Sequence, residues 1–311
     1  MNLLKYRKVY ITAAVLILLF NVAMLATRGL NYGVDFTGGT TIRFPLAKPV
    51  TSPEVMTALA TPELEGLDLQ LAPPQPYRYV DTTGRQRFGV QIQTKFLNPE
   101  EQELVIAALE TAFGSAGEDT GLEVYGVDPL IGREMLSKSL VALIVAGVLI
   151  LVYMAFRFEF KSGVTGLFAL CFDVMSVIGL FALLQKQVNG TFIAALLTII
   201  GYSINNTIVV FDRVRENLRF RKKDETFADV VNFSILQTMR RSVNTSATTV
   251  VTIFLLYLLG SASIREFCLA MMVGFTVGTY TSLFIAGPLW AIWKGSEERK
   301  KDRRRALAGA R

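Results

Sequence analysis

Long apolar runs separate the polar stretches of this chain. They lie near Val9 to Ala26, Lys138 to Phe156, Gly163 to Leu184, Val188 to Phe211, Val243 to Gly260 and Phe267 to Trp293. Each reaches the roughly 18 residues that a helix needs to cross a hydrocarbon core of about 30 Å. Helices are the expected form, because they satisfy their backbone groups within the segment. Six spans place both termini on the same side. The pattern divides the chain into an N-terminus with the first helix (1–26), a polar segment (27–137), helices two to six (138–293) and a tail (294–311).

Within 27–137 the period changes from helical to alternating. Thr40 to Phe44 reads as a strand, and Ser52-Pro53 as an N-cap with proline at N1, opening a helix to about Ala60. Leu67 to Leu71 alternates as a strand, and then the pattern repeats. Phe88 to Thr94 alternates, Asn98 to Glu101 forms a capping box into a helix ending near Phe113, and Leu122 to Val127 is a last strand. The order β-α-β-β-α-β predicts an α+β, ferredoxin-like domain. No catalytic constellation stands out in it, so the chain reads as a non-enzyme without cofactor or metal.

Charge orients this arrangement. The 27–137 segment holds 8 Lys/Arg against 15 Asp/Glu, whereas the N-terminus, the 157–162 loop, the 212–241 loop and the tail hold 21 of the 32 basic residues. By the positive-inside rule those basic segments are cytoplasmic and the acidic domain is exported. The basic stretch Arg213 to Lys223 lacks interleaved stacking aromatics beyond Phe220, which fits a solvated loop or a contact with the lipid bilayer and not nucleic acid. The first span is longer than a signal-peptide core and lacks a clean cleavage site, so it is expected to remain as an anchor. Cys171 and Cys268 fall inside spans, leaving the exported domain without a disulfide framework. The chain contains no histidine, which excludes imidazole catalysis, ligation and proton relays.

The 51% hydrophobic content makes polar residues inside spans informative. At 100° per residue, Thr198, Tyr202, Asn205 and Asn206 fall on one face of the fourth span. Span five offers Thr245, Ser246, Thr248, Thr249 and Thr252, hydroxyls that suit close helix packing. Asp173 sits midway along span three, where a carboxylate costs roughly 2.5–3.5 kcal/mol to insert and is therefore functional or paired. Asp212-Arg213 and Arg265-Glu266 read as local pairs at span ends.

GLNYGVDFTGGTTIRF (29–44), with its Gly38-Gly39 turn and with Asp35 placed to accept backbone hydrogen bonds, resembles the signature after the first span in the SecD/SecF family, auxiliary membrane subunits of the bacterial Sec export machinery. GYSINNTIVVFDRVREN (201–217), LQTMRRSVNTSATTV (236–250) and a final span with Gly274 and Gly278 resemble the SecF branch. The resemblance covers nearly the whole chain. It implies the RND superfamily, whose transporters pair two six-helix halves, with SecD supplying the second half. It also implies the inner membrane of a bacterium, the SecY channel complex as partner, unfolded exported polypeptide as substrate, and protons as the driving ion. In relatives the string is usually SINDT, whose aspartate couples the proton gradient; here that position is Asn206. Arg241, or its neighbour Arg240, matches the family's arginine at the entrance of span five. Two rival readings are a small-molecule RND exporter half, which would normally carry a second exported domain, and a non-transporting scaffold of the translocon.

Overall fold

The computed structural model describes residues 3–61, 64, 67, 69, 73–80, 85–114, 122–222 and 225–309. Six of its helices are long and apolar enough to cross a membrane. The first is Arg7–Arg28 (α1). After it come a two-residue strand, Asn31–Tyr32 (β1), and one helical turn, Val34–Thr37 (α2). The polar segment then runs Gly39–Leu46 (β2), Ser52–Leu59 (α3), Gln75–Val80 (β3), Gln86–Thr94 (β4), Pro99–Phe113 (α4) and Glu123–Val127 (β5). The remaining helices are Pro129–Arg157 (α5), Phe160–Leu184 (α6), Gly190–Leu218 (α7), Phe227–Leu259 (α8) and Ala262–Thr281 (α9). A short strand, Gln187–Val188 (β6), precedes α7, and α9 passes through a π-helical turn, Ser282–Ala286, into Gly287–Gly309 (α10).

Several boundaries differ from the hydropathy pattern, because capping and not apolarity ends a helix. α5 begins at Pro129, well before Lys138, where Asp128 accepts a hydrogen bond from the Leu130 amide at 2.8 Å and proline occupies the first turn. The basic 212–241 segment is mostly helical: α7 continues to Leu218, and Thr226 with Asp229 forms a capping box that starts α8 at Phe227. The tail beyond Lys294 likewise continues α10. In the polar segment Thr51, not Ser52, is the N-cap of α3, its amide bonded to Glu54 at 2.7 Å. Of the strand expected over Leu67 to Leu71, Leu67 and Leu69 lie outside any strand and the rest outside the described residues. The strand in that place is β3, which tolerates Pro76 because it lies at the sheet edge.

The four strands form one antiparallel sheet in the order β3-β4-β2-β5. Ile42, Phe44, Val90 and Ile92 are buried on one face with Val55 and Leu59 of α3 and Val105 and Leu109 of α4. Each such side chain contributes about 1.5–3 kcal/mol of burial. Arg43 and Gln91, on the opposite face, turn toward the ends of the membrane helices. Arg43 bonds Gln91 at 3.0 Å, pairs with Glu123 at 2.7 Å and reaches Ser263 in the first turn of α9, while Gln91 reaches Gln187 at 3.3 Å. Among the six spans, α6, α7 and the α9–α10 helix are the most enclosed, and α1, α5 and α8 are peripheral.

Candidate functional site

Two constructions place the sheet on the membrane helices. β1 pairs in parallel with β6, Asn31 opposite Gln187 and Tyr32 opposite Val188. Just beyond this pair, Asp35 Oδ2 accepts the Gly190 amide at 2.7 Å and, beside the N-cap Asn189, sets its charge at the N-terminus of α7, the place where a helix favours negative charge. Asp35 thus accepts a backbone hydrogen bond from the helix that follows β6. Gly38 and Gly39 follow with φ of 76° and 134°. A side chain on Gly38 would overlap the Pro129 backbone at the start of α5, and one on Gly39 would overlap the Thr94 carbonyl of β4. The glycine pair therefore serves both a turn and a close approach of three elements.

At the centre of the bundle lies a polar cluster. Asp173 of α6 is fully buried, accepting one hydrogen bond from Ser203 of α7 and another from Thr281 at 2.7 Å. Thr207 and Ser282 share a hydrogen bond at 2.9 Å beside it, and Ser282 also donates to the Ser203 carbonyl at 3.4 Å. The π-helical turn starts at Ser282, directly after Thr281, so the last span's donor to Asp173 sits beside a local irregularity of the kind often found at functional sites. A Cβ on Gly278 would stand 3.5 Å from Asp173 Oδ2 and 3.1 Å from Ser203 Oγ, so any side chain there would press on the Ser203–Asp173 contact. No ion pair among the described residues reaches Asp173. A carboxyl held only by hydroxyls, in a low-dielectric bundle, is suited to holding and passing a proton.

Asn206 is also buried, and its Nδ2 has no hydrogen-bond partner among the described residues. Tyr202 is half-buried; its hydroxyl donates to Ser246 at 3.2 Å and approaches Thr249 at 3.5 Å, and its ring stacks on Phe275 at 4.0 Å. Ser246 also receives Thr279, which ties α7, α8 and α9 together.

The single polar face drawn for the fourth span is divided. Thr198 and Asn205 are exposed along one side of α7, Thr198 bonded to its own helix at Ala194, whereas Asn206 turns inward with Ser203. Thr245 and Thr248 are likewise exposed, so of the span-five hydroxyls only Ser246 and Thr249 meet the bundle's polar groups. Arg241 is exposed and lines a cavity of about 890 Å³ with Arg157, Asp212, Arg213, Arg215 and Arg219. The local pairs are also rearranged. Asp212 pairs with Arg157 at 3.1 Å and Arg213 with Glu216 at 2.6 Å, while Glu266 accepts the Gln187 amide at 3.4 Å in place of bonding Arg265. Asp212 thus takes its partner from the neighbouring α5, Arg213 pairs within α7, and Glu266 turns to strand β6.

Sequence reasoning missed Ser203, Thr281 and Ser282. Ser203 stands directly beside Tyr202, and each of the four residues Thr279 to Ser282 carries a hydroxyl. Asp173 signalled that donors were needed, and these were the small donors closest to glycine in the last span. Arg43 was missed as well, because a polar residue on a strand's outer face is ordinary. Among the described residues no group of three or more Cys, Asp and Glu could hold a metal.

Comparison with known proteins follows this geometry. Residues 108–296 match the family model for the C-terminal part of the protein export membrane proteins SecD/SecF, and residues 23–50 match the SecD/SecF GG motif, which contains the Gly38-Gly39 turn. The chain is 36% identical to protein translocase subunit SecF of Alicyclobacillus acidocaldarius, over 91% of this chain and 89% of that protein. It is also 36% identical to the SecF of Thermobaculum terrenum, over 95% of both. Protein translocase subunit SecDF of Bacillus subtilis is 34% identical over 94% of this chain, which spans only 38% of that longer protein. A crystal structure of SecDF, a translocon-associated membrane protein from Thermus thermophilus, superposes with a TM-score of 0.80 at 33% identity, covering 94% of this chain and 38% of that one. The GG turn, the six apolar helices and the full-length similarity all lead to one conclusion: this multi-pass membrane chain belongs to the SecD/SecF family of protein export membrane proteins, as a SecF-type translocase subunit.

Proposed function

We propose that the chain acts with SecD to help the SecY channel complex export unfolded polypeptide, in response to the proton gradient across a bacterial inner membrane. Its six helices form one half of a twelve-helix RND-type unit, with both termini cytoplasmic and residues 27–137 exported. The strand order β3-β4-β2-β5, with two helices on one face, supports reading that segment as ferredoxin-like. The SecD half would cover the face of α7 that carries Thr198 and Asn205, which is exposed in this chain alone. That SecD and SecF parts share one chain in the relatives named SecDF supports the pairing.

The observation that carries the proton-linked part is the amide of Asn206. A buried donor without an acceptor is costly, by about 1–3 kcal/mol, and is what remains when an amide replaces a carboxyl in a pocket built without an acceptor for it. The resemblance to SecF proteins implies an aspartate at this position, whose ionised carboxylate would carry no donor to leave unmet, in the same bundle as the buried Asp173. Asn206 itself does not titrate and stands for the protonated state of that aspartate.

The test is reconstitution with SecD and the SecY complex in vesicles, following export of a reporter protein with and without an imposed gradient. In the Asn206→Asp background, Asp173→Asn should remove the gradient-dependent part of export and leave the remainder. Unchanged gradient dependence would contradict the proposal. A scaffold that contributes no transport is the second reading, favoured by the same non-titrating Asn206; it predicts that neither Asp173→Asn nor Asn206→Asp changes export.

A further inference from the structure

The polar face of the sheet does not close against the membrane helices. Between them lies a cavity of about 570 Å³ whose wall carries four cations, Arg43, Arg78, Lys186 and Arg265, against one carboxylate, Glu266. Arg43 is matched by Glu123 at 2.7 Å, which leaves three cations facing one acid. Glu266 is engaged by the Gln187 amide at 3.4 Å. Arg265 carries the second, independent sign. Its Nε is enclosed and has no acceptor among the described residues, which for a guanidinium nitrogen is an unmet demand for an anionic oxygen. Arg265 lies in the first turn of α9, so the positive end of that helix adds to the same field.

We propose that this cavity binds the phosphate of an anionic phospholipid headgroup, held chiefly by Arg265 and Lys186. A lipid is favoured as the source of the phosphate by what the cavity opens onto. Its membrane-side wall includes Tyr257, near the end of α8, a residue type suited to the headgroup level. Around Tyr257, Leu255, Leu256, Leu258 and Leu259 are all exposed, Leu259 to 72%, and offer acyl chains an apolar surface leading away from the cavity. The bound headgroup would bridge the sheet and the start of α9, so that lipid charge reinforces the contact that Arg43 makes with Ser263.

The full chain is incorporated into vesicles of equal parts phosphatidylglycerol and phosphatidylcholine, extracted in mild detergent and weighed intact by native mass spectrometry. The expected result is retained phosphatidylglycerol. Retention should fall about fivefold with Arg265→Gln and roughly twenty-five-fold when Lys186→Gln is added, each basic residue near a charged surface being worth about that factor. Arg265→Lys should keep most of the binding, and Lys138→Gln, an exposed cation on α5, all of it. If Arg265→Gln fails to fold, Lys186→Gln alone reads the same site from an exposed side chain. Equal retention by the paired variant overturns the proposal. Two further results overturn the lipid assignment: inorganic phosphate alone stabilising the lipid-free chain as well as phosphatidylglycerol does, or a glutamate-rich peptide displacing the lipid.

Discussion

Gly38→Ala isolates how the sheet is fixed to the membrane helices. Gly38 has φ 76° and ψ 159°, a region open essentially to glycine, where another residue costs about 1–3 kcal/mol. Gly114, at the end of α4, has nearly the same backbone, φ 81° and ψ 155°, but nothing lies within 4 Å of a Cβ built there. Gly114→Ala therefore carries the dihedral cost alone. Gly38→Ala adds an overlap with the backbone of Pro129, which no rotamer relieves, and forcing such an overlap costs a further 1–3 kcal/mol, roughly. When opening is fast relative to cleavage, proteolysis follows the population of the open form. Limited digestion of the two full-length variants at the α2–β2 junction should then differ by about 5- to 150-fold, with Gly38→Ala cut faster. Equal cleavage would refute the claim that close approach to α5, and not the turn alone, demands glycine at this position.

Asp35→Ala should destabilise the chain by about 1–2 kcal/mol, measured by denaturant unfolding, since it removes both a cap and a charge from the N-terminus of α7; loss comparable to an exposed surface substitution would contradict the capping role. Arg43→Met should speed hydrogen exchange of the amides around Ser263 through the loss of its links to Glu123, Gln91 and that hydroxyl, worth about 1–3 kcal/mol together. Unchanged exchange there would mean that the sheet is held by other contacts. Burial in the cavity wall pushes Tyr77 up to about 12, with the Arg43 charge opposing. Because the fold binds the neutral phenol, this contribution is full below about pH 10 and is lost as pH rises toward 12, so absorbance titration should show one phenol ionising late and stability falling over that window. Ionisation of all tyrosines near pH 10 in the folded chain would contradict it.

How much was legible in the sequence depended on whether the signal was local. The six spans, the helix capped by Asn98 and Glu101, and the alternation of strands and helices along the polar segment followed from hydropathy and capping, which act over one or two turns, although the strand read at Leu67 to Leu71 lies instead at Gln75–Val80. Gly38-Gly39 was legible as a turn, but its second reason, contact with Pro129 and Thr94, depends on packing across ninety residues. The wheel for α7 gathered Thr198, Tyr202, Asn205 and Asn206 correctly by angle, yet angle does not say where the bundle centre lies. The centre falls toward Ser203 and Asn206, because Gly278 lets the last span approach on that side. Asp173 was visible as an expensive residue; its donors, Ser203 and Thr281, were not, since hydroxyls in spans are common and usually bond their own helix.

The central proposal is that residue 206, buried in the same bundle as Asp173, sets proton coupling. It is tested most directly by proton flux into vesicles containing SecD and either this chain or Asn206→Asp, under an imposed pH gradient. The account predicts little flux through the chain as written, since an amide neither binds nor releases a proton at physiological pH, and a proton-dependent response on restoring the carboxyl. Equal flux through the asparagine and aspartate forms would contradict the account.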